Sequence, residues 1–229
     1  MSHNRFQIVP ARATFDQYAT GTAETRTIYA RIGKRTFDIA ASLFLIVVFA
    51  PLIASIALCL LVSGGTPVFS HTRIGQGRRK FKCYKFRTMH KNSSRALRFM
   101  LRTDVIAAEE WSEAQKLTFD PRITSIGQFL RMSSLDELPQ LFNVLVGDMT
   151  MVGPRPVTEK ELARYGRDLP IYLSVRPGLT GLWQVHGRGT TTFEERVAMD
   201  CAYVQQLSFA TDLKLMFQTV GAVLKRTGT

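Results

Sequence analysis

The sequence predicts an α+β fold, mostly helical, made of a membrane segment followed by a small cytosolic domain that carries a short β-hairpin. Three observations predict it. Residues 39–62 form a charge-free apolar run of 24 residues, and a membrane-spanning helix needs about 20. Two short strand-like stretches flank the turn Gly75-Gln76-Gly77, as in a hairpin. Most other segments have helical composition, including amphipathic ones suited to a membrane interface.

The composition shifts divide the chain into three parts. Residues 1–30 are polar and show no hydrophobic period, so we expect a disordered or loosely docked arm. Residues 31–63 form the membrane segment. Residues 64–229 are expected to fold as one cytosolic domain at the membrane interface, which agrees with the length of the chain.

Pro51 lies at the middle of the apolar run and separates two stretches of 12 residues, 39–50 and 52–63. Each half spans roughly 18 Å as a helix, which is less than a hydrocarbon core of about 30 Å. A bend at Pro51 would give a re-entrant helix-break-helix, whereas a kinked but complete span is the alternative that membranes permit. Helix geometry alone does not separate the two. Basic residues on both sides of the run favour the re-entrant form, because a simple span is basic on its cytoplasmic side.

The downstream elements follow from local patterns. Residues 68–70 and 81–86 are the predicted strands, and residues 182–185 look strand-like within a glycine-rich loop. Helices are predicted over residues 94–116, 126–132, 134–145 and 159–165 and through most of 193–226.

The charge is uneven as well as large, at +12 overall. Between Asp38 and Asp104 there are eleven Lys and Arg and no acid. Such a surface suits anionic lipid, phosphate-bearing substrates or nucleic acid, besides being an ordinary solvated face. Its position beside the membrane segment favours lipid and phosphate, and no nucleic-acid motif is present. The three cysteines lack metal-ligand spacing, so a reducing cytoplasm is expected, and the apolar run starts too late for an ordinary signal peptide.

The densest set of polar residues lies between Arg131 and Pro156, and it contains the adjacent acids Asp136 and Glu137. The structural interpretation is a capping box, Ser134-x-x-Glu137, at a helix start. The functional interpretation is a phosphate site where one carboxylate attacks phosphorus and the other holds a divalent cation. The two interpretations conflict, because one glutamate side chain does not easily serve both.

Two further basic residues are candidates for phosphate binding. Arg155 stands between Pro154 and Pro156, which fix the local backbone and so the direction of a planar guanidinium. Lys85 alternates with aromatic residues as on an edge strand. The plain alternatives are a solvated arginine in a turn and a charge that protects a sheet edge.

A series of motifs occurs in one order and resembles the bacterial sugar transferases, the monotopic phosphoglycosyl transferase superfamily, from about residue 31 to the C-terminus. The motifs are K-R-T-F-D at 34–38, Y-K-F-R-T-M at 84–89, D-P-R-I-T at 120–124, S-L-D-E-L-P-Q-L at 134–141, G-D-M at 147–149, V-G-P-R-P at 152–156 and R-P-G-L-T-G-L-W-Q-V at 176–185. Each motif alone is weak and the ordered set is specific. Within the superfamily the chain looks most like the exopolysaccharide enzymes that load galactose- or glucose-phosphate.

The resemblance implies an enzyme that transfers a sugar 1-phosphate from a UDP-sugar to undecaprenyl phosphate and releases UMP. It implies a re-entrant, monotopic anchor on the cytoplasmic face of the bacterial inner membrane, in contact with membrane lipid. By motif, Asp136 matches the nucleophile of a covalent phosphosugar intermediate and Glu137 the ligand of Mg²⁺. The residues that match phosphate-binding or less defined positions are Lys85, Arg131, Arg155, Arg188 and Asp200.

Two departures from the family pattern stand out. Ala50 replaces the serine that many members have before the membrane proline, and Gly189 replaces an asparagine of a Gly-Arg-Asn motif. The first bears on the stability of the bend and the second on donor preference. The sequence leaves the sugar and a homo-oligomeric assembly open. It also leaves two other functions open, a glycosyltransferase that releases UDP and a non-catalytic scaffold that binds anionic lipid.

Overall fold

The computed structural model describes residues 28–114, Leu117, 119–187 and 191–224. Of the arm expected over residues 1–30, only the last three lie within these ranges. Ten α-helices and four short strands are seen in the described residues. In chain order they are α1 (Lys34–Val62), β1 (Val68–Ile74), β2 (Lys80–Phe86), α2 (Ser93–Thr103), α3 (Val105–Ala114), α4 (Ser125–Met132), α5 (Gln140–Val146), β3 (Thr150–Val152), α6 (Glu159–Leu162), α7 (Leu169–Leu173), β4 (Gly178–Thr180), α8 (Leu182–His186), α9 (Phe193–Gln205) and α10 (Phe209–Leu224).

The mostly helical α+β class is confirmed, with two small two-stranded sheets. β1 and β2 form the predicted antiparallel hairpin, which pairs Val68 with Phe86 and Ile74 with Lys80 and is longer than expected at β1. β3 and β4 pair in parallel. The strand predicted over residues 182–185 is wrong, because those residues form helix α8. A segment this short shows no clear hydrophobic period, and the true strand ends two residues earlier, at Thr180.

The apolar run forms α1, a helix long and apolar enough to cross a membrane by length and composition. Helical geometry continues through Pro51, so the interruption expected there is not seen. Proline lacks the N–H that would bond the carbonyl of Val47, which weakens the helix at this point without ending it. The Ser55 hydroxyl donates to the Pro51 carbonyl at 2.8 Å.

The first turns of α1 are tied to the rest of the domain by buried polar contacts. The Lys34 ammonium lies 2.6 Å from the Asp212 carboxylate and also donates to Val152 O and to the Tyr203 hydroxyl. One turn later, Asp38 accepts bonds from the Thr150 hydroxyl and the Met151 N–H. The K-R-T-F-D segment therefore anchors α1 to β3 and α10.

These contacts change the interpretation of the basic flank before the membrane segment. Lys34 is buried, and Arg35 donates to the carbonyls of Val144 and Leu145 at the end of α5. Both cations are therefore engaged by protein rather than by lipid. The flank on this side carries less weight for topology than the sequence suggested.

Both halves of α1 pack against the same folded body. In the first half, Ala41 and Leu45 lie on the core cluster that includes Leu141 and Val144 of α5. In the second half, Ile56 and Leu60 join a cluster with hairpin and α4 residues, Phe86 and Leu130. The two ends of the apolar helix thus contact one domain.

Candidate active site

A cavity of about 930 Å³ lies between the hairpin, the end of α4 and α8. Its walls bring together most of the charged residues singled out from the sequence. They come from four separate parts of the chain and include Lys85, Arg131, Asp136, Glu137 and Arg155. The fold therefore places these side chains around one cavity, as the interpretation of Asp136 and Glu137 as a phosphate site requires.

Asp136 and Glu137 lie in a single 3-10 turn, Leu135–Glu137, that directly follows the end of α4. Ser134 turns the chain into it with a left-handed backbone, φ 56° and ψ 14°, which residues other than glycine adopt at a cost of about 1–2 kcal/mol. The Ser134 side chain makes no capping bond, so the capping-box interpretation is wrong. The capping boxes in the described residues are instead Thr158 with Glu161 and Thr192 with Glu195.

Lys85 of β2 bridges the two acids. Its ammonium lies 2.7 Å from Glu137 Oε1 and 3.3 Å from Asp136 Oδ2. Asp136 is buried, at 7% exposure. A cation between two carboxylates offsets their repulsion and holds both toward the cavity.

The same arrangement shifts the protonation of both partners. Burial raises the pKa of Asp136 and the Glu137 charge adds to this, while Lys85 and Arg131 act in the opposite direction. For Lys85, burial alone would lower the pKa, but the charges of Glu137 and Asp136 outweigh it and the pKa is raised. Lys85 therefore keeps its positive charge more strongly than an exposed lysine, and Asp136 is easier to protonate than an exposed aspartate.

Arg131 and Arg155 supply the other cationic walls. Arg131 Nε donates to the Thr88 hydroxyl at 2.9 Å, which fixes the guanidinium beside Asp136. The Arg155 guanidinium stacks over Trp183 with its carbon 5.0 Å from the ring centroid. Planar guanidinium groups held in this way present forked donors suited to phosphate oxygens.

Asp200 does not line the cavity and is buried beneath it, at 1% exposure. It accepts bonds from the Tyr165 hydroxyl at 2.8 Å and from the Arg155 N–H at 3.4 Å. Burial raises its pKa to about 6. The geometry makes Asp200 a support for the Gly153–Pro156 loop. Arg188, the other residue with a less defined expected role, lies outside the described residues.

Sequence reasoning missed Trp183 and Thr88 as parts of the cavity wall. Trp183 was predicted to lie on a strand, and that prediction gave no indication that its ring contacts Arg155. On α8 its ring lies against Arg155 and, at 5.2 Å, against Arg196 of α9. An aromatic residue shortly after a Gly-rich turn was the available signal, but it does not reveal a partner 28 positions away.

The donor types at the cavity suit Mg²⁺ only in combination with a phosphate ligand. Within the described ranges no group of three or more His, Cys, Asp or Glu side chains forms a ready metal site. Mg²⁺ is commonly held by one or two carboxylates together with substrate phosphates and water. The Asp136–Glu137 pair fits that pattern.

Comparison with known protein families matches residues 29–226 to the bacterial sugar transferase family. A UDP-galactose-lipid carrier transferase of Erwinia amylovora is 49% identical over 199 residues, 87% of this chain and 42% of the relative. An undecaprenyl-phosphate galactose phosphotransferase of Salmonella typhimurium is 45% identical, with the same coverage. The exopolysaccharide production protein ExoY of Rhizobium meliloti is 45% identical, covering 86% of this chain and 88% of the relative. The chain thus spans about two-fifths of the first two relatives.

Proposed function

The chain belongs to the bacterial sugar transferase family, and from this membership and the cavity we propose that it is a phosphoglycosyl transferase that primes exopolysaccharide synthesis. Its donor is a UDP-sugar and its acceptor is undecaprenyl phosphate. The names of the similar proteins, which include a galactose phosphotransferase and a lipid carrier transferase, support these two substrate classes.

One observation carries the proposal. Lys85 joins Asp136 and Glu137 in a cavity that Arg131 and Arg155 also line. Phosphoryl transfer depends mainly on positioning the reactants and on neutralising phosphate charge. Three cationic side chains around a buried carboxylate supply both, so the cavity suits a reaction between a diphosphate donor and a carboxylate nucleophile.

The proposed reaction has two steps, formation and breakdown of a covalent phosphosugar on Asp136. A carboxylate oxygen of Asp136 attacks the phosphorus next to the sugar, the bond to the bridging oxygen of the diphosphate breaks, and UMP leaves. An oxygen of undecaprenyl phosphate then attacks the same phosphorus and breaks the aspartyl–phosphate bond. The products are the sugar diphospholipid and a restored Asp136 carboxylate.

Mg²⁺ is the proposed cofactor, with Glu137 as its protein ligand. Bound there with substrate phosphate, it would neutralise charge on the leaving UMP. Lys85, Arg131 and Arg155 hold the phosphate groups of donor and acceptor in turn. Because each substrate arrives after the other has left, one set of cations serves both.

The proposed topology is re-entrant, on the cytoplasmic face of the inner membrane. The support comes from packing: Leu45 in the first half of α1 and Leu60 in the second half contact the same domain. A straight crossing would draw that polar domain into the bilayer along with the helix, which is costly for its charged groups. Entry and return on one face require α1 to bend in the membrane at Pro51, where the helix lacks one backbone hydrogen bond. This topology keeps the cavity in the cytosol.

The test is nucleotide release by purified protein with undecaprenyl phosphate, Mg²⁺ and a panel of UDP-sugars. We expect UMP as product with UDP-galactose or UDP-glucose and none from Asp136→Asn. Asp148→Asn, in the turn after α5, is the matched control and should stay active. Release of UDP would show a glycosyltransferase that moves the sugar alone. Lipid binding without either nucleotide would show a non-catalytic scaffold.

A further inference from the structure

A second chamber, of about 460 Å³, adjoins the catalytic cavity at the end of the apolar helix. Leu60, Ser63 and Gly64 of the α1 terminus form one side of it, and Lys91 and Ile126 lie on others. The chamber and the catalytic cavity have four lining residues in common, Arg87, Met89, His90 and Lys91. A ligand that occupies the chamber therefore lies directly beside the space that contains Asp136.

The lining of the chamber is amphiphilic. Leu60, Met89 and Ile126 are apolar, while Arg87 and Lys91 are basic and His90 has a polar ring. Within the described part of the chain, neither the Lys91 ammonium nor the His90 ring has a hydrogen-bond or ion-pair partner. Lys91 is exposed to the chamber and the cavity. This lining matches a ligand with a phosphate at one end and a hydrocarbon chain at the other.

The loop that carries His90 and Lys91 is held in place from two sides. The His90 N–H donates to Arg122 O and the Thr124 N–H donates to Thr88 O. Arg122 is itself locked by Asp120 at 2.6 Å. On the other side, Arg87 donates to Leu60 O and so joins the loop to the last turn of α1. Because this loop is already ordered before a ligand arrives, ligand binding costs less conformational entropy.

We propose that this chamber is the entry site for the lipid acceptor, taking the phosphate of a polyprenyl phosphate at Lys91 and His90 and its first isoprene units against the half-buried Met89 and Ile126. The inference rests on the proposed function. The acceptor's hydrocarbon tail stays in the bilayer, so its phosphate must approach along the membrane helix. The chamber is where the end of that helix meets the catalytic cavity. The acceptor phosphate therefore enters at the chamber and passes to the cations around Asp136 after UMP has left.

The test separates the two half-reactions. Exchange of labelled UMP into UDP-sugar without acceptor reports the donor half, and the KM for undecaprenyl phosphate reports the acceptor half. Lys91→Gln removes one phosphate contact, and Ser63→Trp fills the chamber without changing charge. Lys160→Gln, exposed on α6 and outside both cavities, is the charge-matched control. Calorimetric binding of a short-chain polyprenyl phosphate, without donor, adds a readout that does not need turnover.

We expect Lys91→Gln to raise the KM and the Kd for the lipid phosphate by about tenfold, because one charge-assisted contact is lost. Ser63→Trp should raise both by about the same factor, because it fills the chamber. Exchange should stay at the wild-type rate, and Lys160→Gln should change neither. Equal loss of exchange and acceptor use would mean that the chamber serves the donor, and no change in KM or Kd would mean that it serves neither substrate. Both results overturn the inference. Absence of UMP exchange in the wild type would instead contradict the proposed covalent mechanism. The calorimetric Kd would then still test whether the chamber binds the lipid phosphate.

Discussion

At the residue scale, the proposed chemistry depends on contacts of Lys85 with two side chains that are 51 and 52 positions further along the chain. Lys85 meets Asp136 and Glu137 only because the hairpin and the 3-10 turn fold against each other. The motifs singled out residues that the fold brings into one cavity, but no local pattern predicts which cation contacts which acid. The capping-box interpretation was wrong for the same reason, since a local pattern at Ser134 was outweighed by the tertiary contact of Glu137 with Lys85.

The raised pKa of Asp136 predicts a pH dependence of the first half-reaction. The attacking group must be ionised, so UMP release in a single turnover should fall as pH drops through a pKa above the ordinary aspartate value of about 3.9. Lys85 lowers this pKa, so Lys85→Met should move the acidic limb to higher pH as well as slow the reaction. Lys82→Met, on the same strand, is the control. An acidic limb that stays in place or moves to lower pH in Lys85→Met would contradict the proposed pairing.

The metal proposal also belongs to this scale. Glu137→Gln removes the carboxylate proposed to bind the metal, so we expect a higher Mg²⁺ concentration for half-maximal rate or loss of activity. A titration of UMP release against Mg²⁺, with Asp148→Asn as the control, measures it. An unchanged Mg²⁺ requirement in an active Glu137→Gln enzyme would remove Glu137 from the metal site.

At the element scale, the elements with clear local signals were predictable. The Gly75-Gln76-Gly77 turn identified the hairpin, and the apolar run identified α1. Helix α8 was mistaken for a strand, because five residues with mixed polarity carry too little period to distinguish the two. The sequence did show that Lys34 and Asp38 are four residues apart, but not that both would be buried.

The anchor of α1 predicts a large loss of stability on Lys34→Met. The substitution leaves the fully buried Asp212 without its cation, and removing one partner of a buried pair costs about 3–5 kcal/mol. Lys80→Met is the matched control, because Lys80 is exposed and lies 3.6 Å from an exposed Glu159, and an exposed ion pair contributes little to stability. Thermal unfolding in detergent measures both. Equal unfolding temperatures would show that the Lys34 contact contributes little.

Helix α4 lies so close to the loop after β2 that only glycine fits at Gly127. A Cβ there would lie 2.0 Å from the carbonyl oxygen of Thr88, so Gly127→Ala should push α4 away and lower the unfolding temperature. Gly221→Ala on α10 is the control, since a Cβ meets nothing within 4 Å. There the change should stabilise the helix by up to about 1 kcal/mol. A Gly127→Ala variant as stable as wild type would mean that the two backbones are not in close contact.

At the scale of the whole molecule, the packing of both halves of α1 on one domain predicts that the chain before and after it lies on one face of the membrane. In a background with Cys59, Cys83 and Cys201 replaced, single cysteines from Thr20→Cys and Lys80→Cys should react with an impermeant thiol reagent from the same side. Labelling of the two positions from opposite sides would show a complete crossing. This prediction was reached from the basic flanks in the sequence, but in the structure the packing of α1 supports it better.

The central proposal for the whole molecule is that Asp136 carries the phosphosugar between donor and acceptor. Intact-protein mass spectrometry after incubation with UDP-sugar and Mg²⁺, without undecaprenyl phosphate, tests it most directly. We expect the mass of the wild type to rise by one hexose phosphate, located on the peptide that contains Asp136. The added mass should be absent from Asp136→Asn and should be lost when the lipid acceptor is added. An Asp136→Asn enzyme that turns over normally, or an adduct on another residue, would contradict it.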